Sequence, residues 1–380
     1  MPNQTCIITF RVHAPETNSN RDIIFITGNH PRLGKWKPNA VELQRRAKGY
    51  WERTLEFPKN ARLSYKITRG SWETEEVLEN GIVRANRYLT VKKHQIVDIR
   101  VANWRDLVNR PASAITGTVK YHESFRSRYL TPRRTLVVWL PPSYNRTTRK
   151  RYPVLYMHDG QNIFDPATAF AGVEWQVDET ADRLIRQKKI EEIIVVGIYN
   201  SPDRLKEYSD TPKGRRYMRF LITEVKPFID ITYRTKADRD DTAVMGSSMG
   251  GLISLYLLWK HPEVFSKAGC FSSTLGWRKG EVLRMISRTK HPPNDVRIYF
   301  DHGGTGGETS GLPYFRKFKK LLLQKGLKEG KDFVSFFDKE GDHSEAAWAK
   351  RLWRPLIFLF GLNNPPGTKT PRRKVGDNKD

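Results

Sequence analysis

A chain of 380 residues with 38% hydrophobic residues and 27 glycines holds apolar material for about two domains of ordinary size, which excludes disorder throughout. No run approaches the roughly 18 apolar residues of a membrane-spanning helix, and the opening Met1–Glu16 has neither the basic nor the apolar part of a secretory leader, so a cytoplasmic protein off the membrane is expected. The net charge of +26 raises the question of a polyanionic partner, but the excess is spread along the chain and no helix-turn-helix, zinc-finger or RNA-recognition pattern aims it; no specific nucleic-acid partner is expected.

The first hundred residues read as β structure. Ile8, Phe10 and Val12 alternate with polar neighbours, as do Leu63, Tyr65 and Ile67, which is the period of half-buried strands. Further strand-like runs at 22–27, 40–43, 51–57, 87–91 and 97–101 are separated by Asn, Pro and Gly, and this spacing implies a β-sandwich over residues 1–106. The pattern breaks at 103–111. From 112 to 362, apolar runs at 154–157, 193–198, 243–245 and 296–300 alternate with helix-like segments near 177–187, 218–229, 252–259 and 315–323, the order of a doubly wound, mostly parallel α/β sheet. Residues 363–380, rich in Pro, Gly and charge, are expected to be a disordered basic tail.

Cys6 and Cys270 lie far apart and supply neither a disulfide framework nor a metal site, and no metal or organic cofactor is expected. The sharpest motif is Gly246-Ser-Ser-Met-Gly-Gly251, where an apolar strand enters Gly-x-Ser-x-Gly and leaves as an apolar helix. A serine at such an elbow sits on a strained turn with its hydroxyl above the sheet, and the spacing selects Ser248 over Ser247. The N–H of Met249, at the helix start, points to where an acyl oxyanion would form. A serine hydroxyl needs a base. His343, in a polar loop before an apolar helix over 346–359, has the place and chain order for that role. The third member is a carboxylate after the strand 296–300, and Asp301 and Glu308 both stand there.

The runs Tyr152–Asp165, Trp175-x-Val-Asp178, Val196–Asn200 with Arg204, the elbow and Gly341-Asp-His343 together resemble the esterase branch of the α/β hydrolases that includes esterase D, enterochelin-esterase-like proteins and feruloyl or acetyl-xylan esterases. The resemblance covers about residues 112–361. It implies serine-ester hydrolysis through an acyl-enzyme, favours Glu308 over Asp301 as the acid, and implies Gly160, with Gln161 next, as the second oxyanion donor beside Met249. In the N-terminal part, Ile26–Asn29, Leu33–Trp36, Leu63–Lys66, Gly70–Glu73 and Asn86-Arg87 are similar to the landmarks of family 20 starch-binding modules. That likeness implies an α-glucan partner held by Trp36 and Trp72 through ring stacking, with Lys66, Glu73 and Asn86 bonding hydroxyls, while the alternation of its strand puts Trp51 in the core. Trp175 and Trp277 are candidates for the acyl pocket. A carbohydrate- or polyanion-binding protein with an idle hydrolase domain, and an acyltransferase on the same scaffold, are the alternative functions. The oligomeric state is not set by the sequence.

Overall fold

The computed structural model describes residues 4–15, 23–46, 49–79, 81, 83–84, 86–108 and 112–362; the expected tail lies outside them. In the N-terminal part, Thr5–His13 is the hub of a four-stranded sheet, antiparallel to Tyr50–Pro58 and parallel to Gln95–Arg100, with Gln44–Arg46 at the edge. A second sheet joins Phe25–Gly28, Arg62–Thr68 and Arg87–Thr90, all antiparallel. The two sheets close over one core. Ile8, Phe10 and Val12 from the first meet Leu63, Tyr65 and Ile67 from the second, with Trp51 and Trp104 buried among them. The alternation read from the sequence is therefore the alternation of burial, as a pleated strand with one wet face requires. Asn103–Trp104 turns back to pair with Glu76–Val77 and belongs to this body.

The second body is an eight-stranded sheet in the spatial order Thr118–Phe125, Arg134–Leu140, Ile194–Ile198, Val154–His158, Thr242–Ser247, Lys267–Phe271, Arg297–Gly303, Phe333–Asp338. Arg134–Leu140 is antiparallel to the neighbours on both its sides, and the pairs from Ile194–Ile198 onward are parallel. Val154–His158, Ile194–Ile198 and Thr242–Ser247 are buried at every position, because helices cover both faces. Separate apolar cores lie on the two sides. The segment expected as one helix over 218–229 is a helix to Phe220, a π-helical turn Leu221–Val225, then Lys226–Thr232; Pro227 lacks the N–H that a continuous α-helix needs, and the wider turn absorbs that loss. Every parallel strand of this sheet points its C-terminal end at the same rim, where ligands gather in open α/β sheets.

Candidate active site

Thr242–Ser247 ends at the central rim and Met249–Lys260 begins at once, so Ser248 bridges strand and helix with φ 55° and ψ −116°. A non-glycine residue holds such a conformation only where its surroundings enforce it. Here Ser248 N–H donates to Phe271 O at 2.9 Å, and Ser248 O accepts from Thr274 N at 3.1 Å. A Cβ at Gly246 would lie 2.8–3.0 Å from the backbone of Gly250, whereas one at Gly250 would make ordinary contacts at 3.4 Å. The demand for glycine is thus sharper on the strand side of the elbow. The Ser248 hydroxyl is hydrogen-bonded to Thr274 Oγ1 at 3.1 Å, a partner that sequence spacing could not single out.

The rim also brings His343 and Glu308 together: Nδ1 of the imidazole lies 2.9 Å from Oε1 of the carboxylate. Burial pushes the Glu308 carboxyl up, but the hydrogen bond and charge of His343, and then His302, more than offset this and hold it below the usual glutamate value. His302 Nδ1 sits 3.2 Å from the other oxygen, Oε2, while its Nε2 meets the Glu308 carbonyl at 2.7 Å. The His343 ring stands edge-on to Trp348 at 5.1 Å, and Trp348 Nε1–H donates to Ser272 Oγ. Asp301, the other sequence candidate for the acid, is spoken for. It accepts from Arg351 Nε at 2.8 Å and Nη2 at 3.1 Å, from Ser272 N–H at 2.9 Å and from the Tyr299 hydroxyl at 3.0 Å. That carboxylate braces the wall behind His343 rather than touching its ring.

Opposite, Val154–His158 leads into Asp159 in left-handed conformation at φ 57°, and the short turn Gly160–Asn162 follows. Asp159 is clamped by both edges of Arg204, Nε to Oδ1 and Nη2 to Oδ2 at 2.7 Å each, and by Asn200 Nδ2 at 2.6 Å. Burial would raise its carboxyl, yet the Arg204 charge and hydrogen bonds leave it below the usual aspartate value. The network fixes the chain just ahead of Gly160 and Gln161; Gln161 also accepts from Asn200 N–H through its side chain. His158 precedes this turn but is no rival base, since burial pushes its imidazole down to about 3 and Nδ1 is paired with the Tyr217 hydroxyl at 2.7 Å. Glu345, beside Asn162, has its carboxyl raised by burial.

The two acyl-pocket candidates differ in setting: Trp175 is almost fully buried, whereas Trp277 is half-buried and its backbone N–H donates at 3.0 Å to the carbonyl of Thr274, the residue bonded to the Ser248 hydroxyl. Trp175 is buried against Phe271 and Trp348, behind the histidine, and Trp277 packs on the core of the other face. Around Trp175, Glu174, Asp178 and Glu179 bring carboxylate oxygens within 4.8 Å of one another, the described group best able to hold a cation. Burial lifts Glu174 to about 7 and Asp178 to about 8, with Glu179 adding to both, so protons are retained there near neutrality. Asp178 Oδ2 accepts from Thr116 N–H at 2.6 Å, which ties the segment before Thr118–Phe125 to the helix Val177–Arg186.

In the N-terminal body, Trp36 closes the turn Pro31–Trp36 at φ 64° and is half-buried, as is Trp72, whose carbonyl accepts from Arg105 Nη1 at 3.1 Å. Glu73 is exposed, Asn86 half-buried, and Trp51 lies in the core under Arg45. Lys66 departs from the sequence expectation. It is only 7% exposed, its Nζ is 2.6 Å from Oε2 of the fully buried Glu75, and the ring of Phe170 from the second body covers it at 5.7 Å. An ammonium that neutralises a buried carboxylate under an aromatic lid is not a free donor for a sugar hydroxyl. Glu75 opens the acidic stretch that separates Trp72-Glu73 from Asn86, and that stretch was the available signal.

A family model described as "Putative esterase" matches residues 127–359, and one described as "Starch binding domain" matches residues 5–98. The chain is 24% identical over 249 residues to the uncharacterized protein YbbA of Bacillus subtilis, spanning 60% of this chain and 94% of that one. It is 32% identical over 147 residues to the endo-1,4-beta-xylanase/feruloyl esterase of Xylanibacter ruminicola, covering 36% of this chain and 19% of that protein. In three dimensions it resembles the enterochelin esterase from Shigella flexneri, with TM-score 0.56, 15% identity and coverage of 94% and 93%, and a ferulic acid esterase, with TM-score 0.54, 23% identity and coverage of 64% and 98%. At those identities the likeness is one of fold: a mostly parallel sheet clad in helices, preceded, in the neighbour that spans most of this chain, by a further body. Among the described residues no helix is long and apolar enough to cross a membrane.

Proposed function

The chain belongs to the "Putative esterase" family, and from that premise we propose that it hydrolyses a carboxylic ester through an acyl-enzyme formed on Ser248. What supports this reading is a serine on a strained elbow at the C-terminal rim of the sheet and, in loops that leave strands at the same rim, a histidine paired with a buried carboxylate. In the reaction, the Ser248 hydroxyl leaves Thr274, attacks the ester carbonyl and gives its proton to His343 Nε2. Glu308 holds the Nδ1–H and stabilises the imidazolium. The oxyanion is received by backbone N–H groups of Met249 and of Gly160, with Gln161 next to it. Collapse expels the alcohol, which takes the proton from His343. Water then attacks the acyl-enzyme by the same route and releases the acid.

For the substrate we propose an ester borne on carbohydrate, with the N-terminal module contributing α-glucan contact through Trp36 and Trp72. Support comes from the starch-binding family match and from the xylanase/feruloyl esterase relative, each of which ties ester or glucan chemistry to a related chain. The test is fluorophosphonate labelling of the intact protein followed by turnover on a panel from nitrophenyl acetate to feruloyl and acetylated sugars. Wild type and Ser247→Ala should label and turn over, and Ser248→Ala should do neither. Labelling that survives in Ser248→Ala would refute the nucleophile assignment.

A further inference from the structure

The loop 303–311 carries Glu308, yet it opens with Gly303, Gly304, Gly306 and Gly307. Glycines have the widest choice of backbone conformations, so a glycine-rich turn does not by itself hold a carboxylate to a fixed place. Neighbours supply the restraint. On one side, Gly304 N–H and Thr305 N–H donate to Gly341 O at 3.0 and 3.1 Å, which joins this loop to the one bearing His343. On the inner side, His302 Nε2 meets Glu308 O at 2.7 Å. The outer side is covered from the N-terminal module. Tyr88, in the strand Arg87–Thr90, lies on the Gly306–Gly307 backbone so closely that a Cβ at Gly307 would fall 2.4 Å from its hydroxyl oxygen and 2.5 Å from the ring. Gly306 has φ +59°, and its Cβ would be 3.4 Å from the same ring.

Tyr88 has a fixed origin because the two bodies also meet at a second point. Val83 N–H donates to Ala171 O at 3.1 Å, and the neighbouring Phe170 ring is held by Arg105 at 4.7 Å and Lys66 at 5.7 Å. Phe170 and Ala171 belong to the segment that follows the Gly160–Asn162 turn, and Phe170 N–H donates to Asn162 Oδ1 at 2.8 Å. The module therefore bears on both arms of the site, the acid loop and the oxyanion segment.

We propose that Tyr88 is a positioning residue for the esterase centre: by seating on Gly306–Gly307 it sets the turn that presents Glu308 to His343, which makes the starch-binding module a working part of the catalytic unit. The inference rests on the Ser248–His343–Glu308 reading and goes beyond it. Tyr88 is 44% exposed, so its removal opens no core cavity and a loss of activity would not be a loss of fold.

The experiment measures kcat, KM and Tm of the full-length protein on a nitrophenyl ester for Tyr88→Phe, Tyr88→Ala, Gly307→Ala, the Gly307→Ala/Tyr88→Ala double variant and Glu308→Gln. A displaced orienting group costs rate more than binding, so Tyr88→Ala should lower kcat by about tenfold with KM and Tm nearly unchanged. Tyr88→Phe, which keeps the ring, should stay near wild type. Gly307→Ala should lower kcat further than Tyr88→Ala does, because the new methyl against the phenol pushes the turn itself aside, and the double variant, with that clash removed, should recover to the level of Tyr88→Ala. Wild-type kcat in Tyr88→Ala, or a double variant no faster than Gly307→Ala alone, overturns the proposal. If that happens while Glu308→Gln is still crippled, the triad reading stands without it; full activity in Glu308→Gln removes both.

Discussion

Arg351 grips Asp301 through Nε and Nη2 at 2.8 and 3.1 Å, both side chains being almost wholly buried, while Glu308 is the carboxylate paired with His343. Asp301→Asn should leave the Arg351 guanidinium with Asp338 at 3.3 Å as its remaining carboxylate and destabilise the protein by about 3 kcal/mol, the low end of the cost of breaking a buried pair. Glu308→Gln should instead leave the melting curve close to wild type and lower kcat by about 10²–10⁴-fold, because the imidazolium loses its partner. Urea melts and steady-state kinetics on the two variants check the contrast, and the reverse ranking would return the acid role to Asp301.

The Asp159–Arg204 clamp makes a second prediction. Arg204→Met leaves an ionised carboxylate under the Gly160–Asn162 turn, and stability should fall by about 2–3 kcal/mol, below the range for fully buried pairs because the guanidinium is partly open to water. The turn should shift as well, so kcat should drop more than KM rises. Arg204→Lys should rescue little, since an ammonium cannot make the two parallel bonds. A lysine variant with full activity would show that charge alone holds the turn.

Glu174 and Asp178 give a pH signature. Both carboxyls titrate higher in the folded chain than in the unfolded one, so the folded state binds the extra protons. Their contribution to stability is fully present below the ordinary carboxylate range and is lost as pH rises through about 7–8. Asp178→Asn, whose amide oxygen can still accept from Thr116 N–H, should therefore gain in Tm relative to wild type as pH goes from acid to slightly alkaline. Scanning calorimetry across that window reads the difference, and a constant offset would contradict the assignment.

Lys66 and the tryptophans should separate stability from binding. Lys66→Met leaves Glu75 short of its nearest cation, with Arg105 at 3.4 Å the remaining one, and should cost about 3 kcal/mol of stability. Trp36→Ala and Trp72→Ala should be mild in the melt but weaken maltooligosaccharide binding by about 1–3 kcal/mol if the rings stack on sugar. That binding should change little between low and physiological salt, whereas attachment through the +26 charge would collapse. Titration at two ionic strengths distinguishes them.

The features legible in the sequence were those in which chemistry is tied to local spacing. The strand–elbow–helix at Ser248 is specified by its own flanks, and Ser248, Glu308 and His343 each follow a strand of the sheet in chain order. The alternation at Ile8, Phe10 and Val12 reports burial directly. Lys267–Phe271 escaped notice as a strand because Ala-Gly-Cys carries little hydrophobic signal, although it pairs with strands on both sides. Asp301 and Glu308 could not be ranked by residue reading alone, since the choice depends on Arg351 arriving from fifty residues downstream. Lys66 was misjudged for a related reason: a motif specifies a residue's neighbours in its own module, and the Phe170 ring comes from the other one.

The grip of Lys66 and Arg105 on Phe170, with the Val83–Ala171 bond beside it, also bears on how far the enzyme reaches. A binding module on a loose tether lets its catalytic partner sweep a volume, with an effective concentration governed by linker length. Here the two bodies touch at both the Glu308 loop and the Phe170 segment, so on the proposed reading the span between a sugar held on the module and the Ser248 hydroxyl would be a fixed ruler rather than a leash. Acyl groups at one distance along a glucan would be cleaved from each landing, and their neighbours would wait for the protein to let go and land again.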